Sequence, residues 1–199
     1  IHVLMSAYQE HEAVAKVKET YSLVSQAIKQ WEIDNGCIGE AYKCEQGMDW
    51  QWGEVYPEEP RLGWTKYLKV AGTHQIRWEG VPEWLNYQAY YIDGSPIPSG
   101  DTVVGVGKNI DGCHSMAYLL TNGVILQASA YSNMQIWMDI NGKKPPNRIG
   151  KDQFPFGVGK TAGHYSISPY YSECVYKGTS LGLCSNNCPS PCNPDDGKS

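Results

Sequence analysis

Residues 8–34 read YQEHEAVAKVKETYSLVSQAIKQWEID, and their periodicity decides the fold. The apolar side chains are spaced three or four positions apart, at Val14, Val17, Tyr21, Val24, Ile28 and Trp31. Side chains with this spacing lie on one face of an α-helix, so the stretch predicts a single long amphipathic helix. Asn35 and Gly36 follow it, and both residue types readily adopt the left-handed conformation that ends a helix. At about 1.5 Å per residue, the predicted helix is about 40 Å long.

The second strong pattern is a β-meander in residues 115–140. Two apolar runs, residues 115–120 and 124–130, flank Thr121-Asn122-Gly123. Asn-Gly between apolar runs is a strong hairpin signal, because both residues tolerate positive φ. Residues 135–140 predict a third strand, and residues 154–177 are expected to hold a further edge strand. We therefore predict an α+β fold, in which the long helix covers the apolar face of an antiparallel sheet.

The segment between the helix and the meander has weaker patterns and a high aromatic content. Residues 62–70 predict a short amphipathic helix, and residues 83–91 predict another, although Tyr90 and Tyr91 would also suit a strand. The aromatic cluster of this region consists of Trp50, Trp52, Trp64, Trp78, Trp84, Tyr87, Tyr90 and Tyr91. Aromatic side chains on loops suit carbohydrate or protein partners, but they also fill cores. We expect core packing for at least half of them.

The length and charge of the chain limit its classes of function. Its 199 residues suffice for one domain, so we assign residues 1–185 to a single domain and residues 186–199 to a flexible tail. The formal charge is −5 and no basic run occurs, which argues against a nucleic-acid partner. No apolar run approaches the roughly 18 residues that a membrane-spanning helix requires.

Seven cysteines are many for a cytosolic protein and indicate an exported domain with disulfide bonds, including a loop-rich C-terminal region. Cys37–Cys44 and Cys174–Cys184 are the first candidate pairs, because each closes a short loop. The complete connectivity stays open. A zinc site is the alternative, but the last three cysteines are separated by three residues each rather than arranged as Cys-x-x-Cys pairs.

No catalytic constellation is recognisable in the sequence. Cys113 and His114 are adjacent, whereas a catalytic Cys–His pair usually meets through space from separate segments. The five histidines form neither His-x-x-x-His nor His-Glu-x-x-His. Residues 105–108, GVGK, lack the remaining glycine and the hydroxyl residue of a phosphate-binding loop. We therefore predict a protein that is not an enzyme and that needs no cofactor.

Residues 137–154, WMDINGKKPPNRIGKDQF, are unusually rich in turn-forming and polar residues. The residues that form the pattern are Asp139, Asn141, Gly142, Pro145, Pro146, Asn147, Gly150, Asp152 and Phe154. In the preferred interpretation, Asn141-Gly142 forms a tight turn and Asp139 or Asp152 caps backbone N–H groups. In the alternative, Asp139, Asn141 and Asp152 supply oxygen ligands to calcium, although their spacing is not that of an EF-hand.

This pattern resembles the strand-end segment of bacterial type IV pilin-like proteins, which include minor pilins and the pseudopilins of type II secretion. The predicted helix in residues 8–34 is similar to the amphipathic stem of that family, and the hairpin at residues 119–124 precedes the pattern at a suitable distance. The resemblance covers most of residues 8–156, with the stem at 8–34 and the meander and loop at 114–156. It implies a pilin-like roll, and pseudopilins that bind calcium in the sheet region make the calcium alternative relevant.

The resemblance implies a non-catalytic subunit of a type IV pilus-like or type II secretion pseudopilus-like filament. Its partners would be other pilin-like subunits, through the N-terminal helix, and the membrane, through an apolar half-helix that this sequence lacks. The subunit would be anchored in the inner membrane before assembly and lie in a periplasmic or extracellular filament afterwards. The family's cleavage site is also absent, and the cysteine-rich tail has no counterpart in the pattern. A secreted adhesin or carbohydrate-binding module that uses the aromatic cluster is the alternative.

Overall fold

A computed structural model describes residues 2–40, 63–75, 81–97, 105–108, 115–129 and 135–169. Its elements are helix α1 (His2–Asp34), a 3₁₀ helix (Gly63–Tyr67), β1 (Val70–Gln75), β2 (Ser115–Leu120), β3 (Ile125–Ser129), β4 (Gln135–Asp139), β5 (Gln153–Thr161) and β6 (His164–Pro169). The strands form one six-stranded sheet in sequential order, and every neighbouring pair is antiparallel. The predicted α+β arrangement of one long helix and an antiparallel sheet is therefore confirmed at this level.

Helix α1 is covered by the rest of the molecule along its C-terminal half. Val24, Ile28 and Trp31 are buried in the core between the helix and the sheet, as their spacing predicts. The helix ends where predicted, because Gly36 has a φ of 66°. The prediction that the whole stripe is covered is wrong, since Val14 is 52% exposed. Ala13 and Val17 on either side of it still pack against this core, so Val14 lies on the face of the helix that points away from the sheet.

The predicted hairpin and third strand are the centre of the sheet. β2 and β3 pair around Gly123, whose φ of 84° and N–H bond to Leu120 O at 2.9 Å close the turn. β4 adds to β3 in register, with Trp137 opposite Gln127. The single edge strand expected in residues 154–177 is instead two strands, β5 and β6, of which β6 ends at Pro169.

Both faces of the sheet are buried. Met116, Tyr118 and Leu120 of β2 face helix α1, whereas Ala117 of the same strand belongs to a second core. Side chains of a strand alternate between faces, so one strand contributes to both cores. The second core is closed by residues 81–97, which lie against the face that helix α1 does not reach.

The predicted helix in residues 83–91 is wrong, and the one in residues 62–70 is only partly right. After a turn at residues 83–85, the chain is irregular, and Leu85, Tyr87, Ala89 and Tyr91 are buried at every second position. That period of two matches an extended backbone lying on the sheet rather than a helix. Of the helix predicted in residues 62–70, only the 3₁₀ helix at Gly63–Tyr67 forms, because the chain enters β1 at Val70 and pairs with β2.

A buried carboxylate, that of Glu32, joins the C-terminal end of helix α1 to β6, the last strand of the sheet. Glu32 Oε1 accepts a hydrogen bond of 2.7 Å from Tyr165 N, and its Oε2 lies 3.6 Å from His164 Nδ1. The neighbouring β5–β6 turn contacts the loop after the helix so closely that a Cβ atom on Gly163 would lie 2.2 Å from Gly39 O. The described helix is not long and apolar enough to cross a membrane.

Candidate functional site: the loop between β4 and β5

A buried aspartate, Asp139, immediately precedes the β4–β5 loop, which consists of residues 140–152. Asp139 is the last residue of β4 and is fully buried. Its Oδ1 accepts backbone N–H bonds from Asn141 at 3.0 Å and Gly142 at 2.7 Å. This short side chain bonds the backbone two and three residues ahead, and the chain turns at Gly142 with a φ of 62°.

The other oxygen of Asp139 joins the loop to two further segments. Oδ2 accepts hydrogen bonds from Tyr87 Oη at 2.7 Å and from Gln153 Nε2 at 3.0 Å. The Gln153 amide also pairs with the backbone of Val106, donating to its O at 2.8 Å and accepting from its N at 3.0 Å. One carboxylate therefore connects β4, β5 and the two irregular segments that cover the second face of the sheet.

A second aspartate closes the loop. Asp152 Oδ2 accepts from Asn147 N at 2.7 Å, and its Oδ1 accepts from Arg148 N at 2.5 Å. The peptide bond between Pro145 and Pro146 is cis, and Asn147 has a φ of 48°. The loop backbone also pairs with the second layer, because Tyr90 N donates to Asn147 O at 2.9 Å.

The two aspartates have perturbed acidities. Burial raises the pKa of Asp139 from 3.8 to about 7, although hydrogen bonds from Tyr87 and Asn141 lower it, and the charge of Asp152 adds to the rise. Burial also raises the pKa of Asp152, against the lowering effect of the Arg148 and Asn147 N–H groups. Burial, followed by the charge of Asp139, holds the pKa of Tyr87 far above its ordinary value.

The geometry of the two aspartates fits the capping interpretation better than calcium binding. Each oxygen of Asp139 already accepts two hydrogen bonds, and each oxygen of Asp152 accepts one from the backbone. Calcium takes roughly six to eight oxygen ligands with free lone pairs. Within the described ranges, no group of three His, Cys, Asp or Glu residues is arranged to hold a metal ion. Calcium binding by Asp139, Asn141 and Asp152 stays a prediction that experiment must test.

The remaining residues of the pattern have mainly structural positions. Gly150 has a φ of 77° and faces Ile92, while Pro146 is exposed. Asn147 is buried within the loop. Phe154, in β5, packs against the core on the helix side of the sheet. The pattern therefore does not converge on one pocket, and its residues divide between turn formation and packing.

The cysteine predictions can be located only in part. Cys37 is fully buried next to the end of helix α1 and is disulfide-bonded. Cys44, Cys174 and Cys184 lie outside the described residues, so the pairings Cys37–Cys44 and Cys174–Cys184 stay predictions. The tail in residues 186–199 also lies outside them.

Four of the five described members of the aromatic cluster pack in or against the core, whereas Tyr90 is half-buried and belongs to neither core. Trp64 is 1% exposed, and Tyr87 and Tyr91 are buried in the second core, against which Trp84 also packs. Trp50, Trp52 and Trp78 lie outside the described residues. The expectation that at least half of the cluster packs in the core stays a prediction for the whole set.

Sequence reasoning missed three residues that organise the structure. Gln153 stands beside Asp152 in the pattern, yet its amide bridges two segments that are far apart in sequence. Tyr87 could have been found from its alternation with Ala89 and Tyr91, which indicates an extended buried segment. Glu32 gives no such signal, because a glutamate beside the apolar stripe of a helix is normally solvated.

The comparison of this chain with protein-family models, curated proteins and solved structures finds no match.

Proposed function

We propose that this protein is a non-catalytic structural subunit of a type IV pilus-like or type II secretion pseudopilus-like filament, assembled through helix α1. The observation that carries the proposal is the division of this helix into two parts. From Ala13 onward one face of the helix packs against the core, through Ala13, Val17 and the buried residues from Thr20 on, whereas Glu10, Glu12 and Val14 are exposed. The eleven residues from position 2 to 12 extend about 16 Å at the helical rise of about 1.5 Å per residue.

A projecting helix of this kind suits assembly between subunits. Its N-terminal part would pack against the same part of neighbouring subunits, while the sheet domain would face outward. The arrangement of one long helix against a six-stranded antiparallel sheet, together with the resemblance of residues 137–154, supports this proposal. Both aspartates of that segment are buried and hydrogen-bonded to the domain itself, which is the arrangement expected of a structural role.

The proposal extends to partners and location. The partners are other pilin-like subunits, and the membrane is reached through an apolar half-helix encoded upstream of Ile1. The subunit is anchored in the inner membrane before assembly and lies in a periplasmic or extracellular filament afterwards. No nucleic-acid partner is proposed, because the chain is acidic, with a formal charge of −5.

The natural gene provides a first test of the proposal. The codons upstream of Ile1 should encode a short basic leader, a small residue at the cleavage site and an apolar stretch with one acidic residue. A conventional cleaved signal peptide at that position would contradict the filament proposal and favour a secreted binding module.

Cross-linking in cells that express the full-length protein provides a second test. A photo-cross-linking amino acid at Val14, which is 52% exposed, should yield a ladder of covalent oligomers. Ile38 provides a matched control, because it is an apolar residue with 55% exposure in the loop that follows the other end of the helix. A ladder of equal intensity at both positions, or none at Val14, would refute assembly through the helix.

No observation favours the alternative of a secreted adhesin or carbohydrate-binding module. That function would require exposed aromatic faces, and Trp64, Tyr87 and Tyr91 are buried. The alternative therefore depends on Trp84 and Tyr90, which are half-buried, and on Trp50, Trp52 and Trp78, which lie outside the described residues.

A further inference from the structure

The surface of the β4–β5 loop is basic, although the chain as a whole is acidic. The loop carries Lys143, Lys144, Arg148 and Lys151, which are four of the chain's 16 lysine and arginine residues. All three lysines are exposed. Asp152, the carboxylate within the loop, is buried and turned toward the loop backbone, so it does not neutralise the outer surface.

Part of this charge is already used within the domain. Lys143 Nζ lies 2.6 Å from Glu83 Oε1, and the guanidinium group of Arg148 donates to Ile92 O. Lys144 and Lys151 form no ion pair within the described part of the chain. These two lysines are therefore available to a partner.

The loop presents its lysines from a fixed backbone. Asp139 holds the N–H groups at the start of the loop, and Asp152 holds those in its second half. A surface whose backbone is already ordered loses less entropy on binding than a flexible loop does. The loop is thus suited to a specific contact.

The position of the loop along helix α1 indicates which partner it meets. Ile140, the first residue of the loop, accepts a hydrogen bond from Lys16, so the loop lies level with that residue of its own helix. Glu12 and Glu10, both exposed, precede Lys16 by four and six residues, and Glu12 Oε1 lies 3.9 Å from Lys16 Nζ at the surface. At about 1.5 Å per residue the two glutamates lie about 6 and 9 Å closer to the N-terminal end of the helix than Lys16 does.

We propose that the β4–β5 loop binds the exposed acidic residues Glu10 and Glu12 on helix α1 of a neighbouring copy of this chain. Two parallel copies displaced by about 6–9 Å along the helix bring the start of this loop in one copy, at Ile140, to the level of these glutamates in the other. The inference rests on the proposed function, and it specifies which surfaces of two subunits meet in the filament.

A second copy fits the loop better than an anionic membrane does. Helix α1 continues for fourteen residues on the N-terminal side of Lys16, from position 2 to 15, which is about 21 Å. Electrostatic attraction to lipid headgroups decays over about 8 Å at physiological ionic strength. A membrane from which the helix emerges along its own axis therefore lies too far from the lysines to attract them.

The test is charge reversal and rescue in cells that assemble the full-length protein. The variant Lys144→Glu/Lys151→Glu should reduce filament yield roughly tenfold, because two exposed ion pairs are replaced by repulsive contacts. Adding Glu10→Lys/Glu12→Lys to the same chain should restore the yield to within about twofold of the parent. Lys160→Glu, which reverses an exposed lysine at the other end of the sheet, is the control and should assemble as the parent does.

A photo-cross-linker at Lys144 identifies the contact directly. After cleavage at lysine and arginine, the cross-linked product of the parent filament should contain the peptide that ends at Lys16, which includes both glutamates. The melting temperature of the Lys144→Glu/Lys151→Glu domain should equal that of the parent within about 2 °C, since both positions are exposed.

The outcomes separate this inference from the proposed function. Normal assembly of Lys144→Glu/Lys151→Glu, absence of rescue, or a cross-link to any other surface would overturn the inference. A persistent oligomer ladder from Val14 in that case would leave assembly through the helix intact. Absence of the Val14 ladder in the parent would overturn both proposals together.

Discussion

Replacing Asp139 by alanine provides the sharpest test of how the β4–β5 loop is held. The substitution removes a fully buried carboxylate that accepts four hydrogen bonds. A buried donor that loses its acceptor costs about 1–3 kcal/mol of stability. The backbone N–H groups of Asn141 and Gly142 cannot find new partners unless the turn opens, whereas the side chains of Tyr87 and Gln153 can rotate.

The expected loss in the free energy of unfolding is about 4 kcal/mol. This magnitude assigns about 2 kcal/mol to each of the two backbone donors and nothing to the two side chains that can rotate. It is a large fraction of the roughly 5–15 kcal/mol that stabilises a typical domain. With a urea dependence of about 2 kcal/mol per molar, the unfolding midpoint should fall by about 2 M.

Urea unfolding at pH 5, followed by tryptophan fluorescence, measures this loss below the folded-state pKa of Asp139, where ionisation of the buried carboxyl does not offset its contribution. Asp93→Ala is the matched control, because Asp93 also caps a backbone N–H, that of Ser95 at 2.8 Å, but is exposed. We expect the control to lose less than about 1 kcal/mol. Equal losses for the two variants, or a loss below about 1 kcal/mol for Asp139→Ala, would refute the argument that this carboxylate holds the loop.

Three further predictions concern pH, backbone packing and calcium. Because the pKa of Asp139 rises from 3.8 to about 7 on folding, this group's stabilisation is complete below about pH 4 and is lost as the pH rises through 7. The free energy of unfolding of Asp139→Asn, measured in urea, should lack this pH-dependent component of roughly 4 kcal/mol. Identical pH profiles of the two proteins would contradict the prediction. In thermal unfolding, Gly163→Ala should lose at least about 2 kcal/mol more of the free energy of unfolding than Gly123→Ala. The φ angles of the two glycines are similar, 80° and 84°, but only a Cβ at position 163 would clash, 2.2 Å from Gly39 O. Equal losses would rule out the clash. Millimolar calcium or a chelator should leave the melting temperature unchanged, whereas a calcium-dependent rise that Asp152→Asn abolishes would establish the ligand interpretation.

The parts of the fold that sequence reasoning predicted are those that depend on local patterns. The stop of helix α1 at Asn35-Gly36 follows from the preference of these residues for left-handed backbone. The β2–β3 hairpin follows in the same way from Asn122-Gly123 between two apolar runs. Within the loop, Asp139 also acts locally, because its first oxygen bonds the backbone only two and three residues ahead.

The parts that sequence reasoning missed depend on contacts between distant segments. β1 has the sequence VAGTHQ, whose glycine and lack of alternation give no strand signal, and it becomes a strand by pairing with β2. Residues 83–91 have apolar residues dense enough to suggest a helix, but the sheet selects an extended backbone there. The contact of Gly163 with Gly39 joins residues from opposite parts of the chain, and no spacing in the sequence encodes it.

The β4–β5 loop is rich in turn-forming and polar residues because it supplies hydrogen-bond partners to residues 81–97. Residues 81–97 form no regular strand, yet they cover one face of the sheet, so their backbone polar groups need partners outside a ladder. The loop supplies them: Tyr90 N donates to Asn147 O at 2.9 Å, and Ile149 N donates to Tyr90 O at 3.0 Å. Those partners are in register only if the loop is rigid, which requires Asp139 and Asp152 to cap its two halves. The acidic side chains are consequently used inside, whereas Lys144 and Lys151 stay exposed on the outer surface, where the proposed contact with a neighbouring subunit would use them.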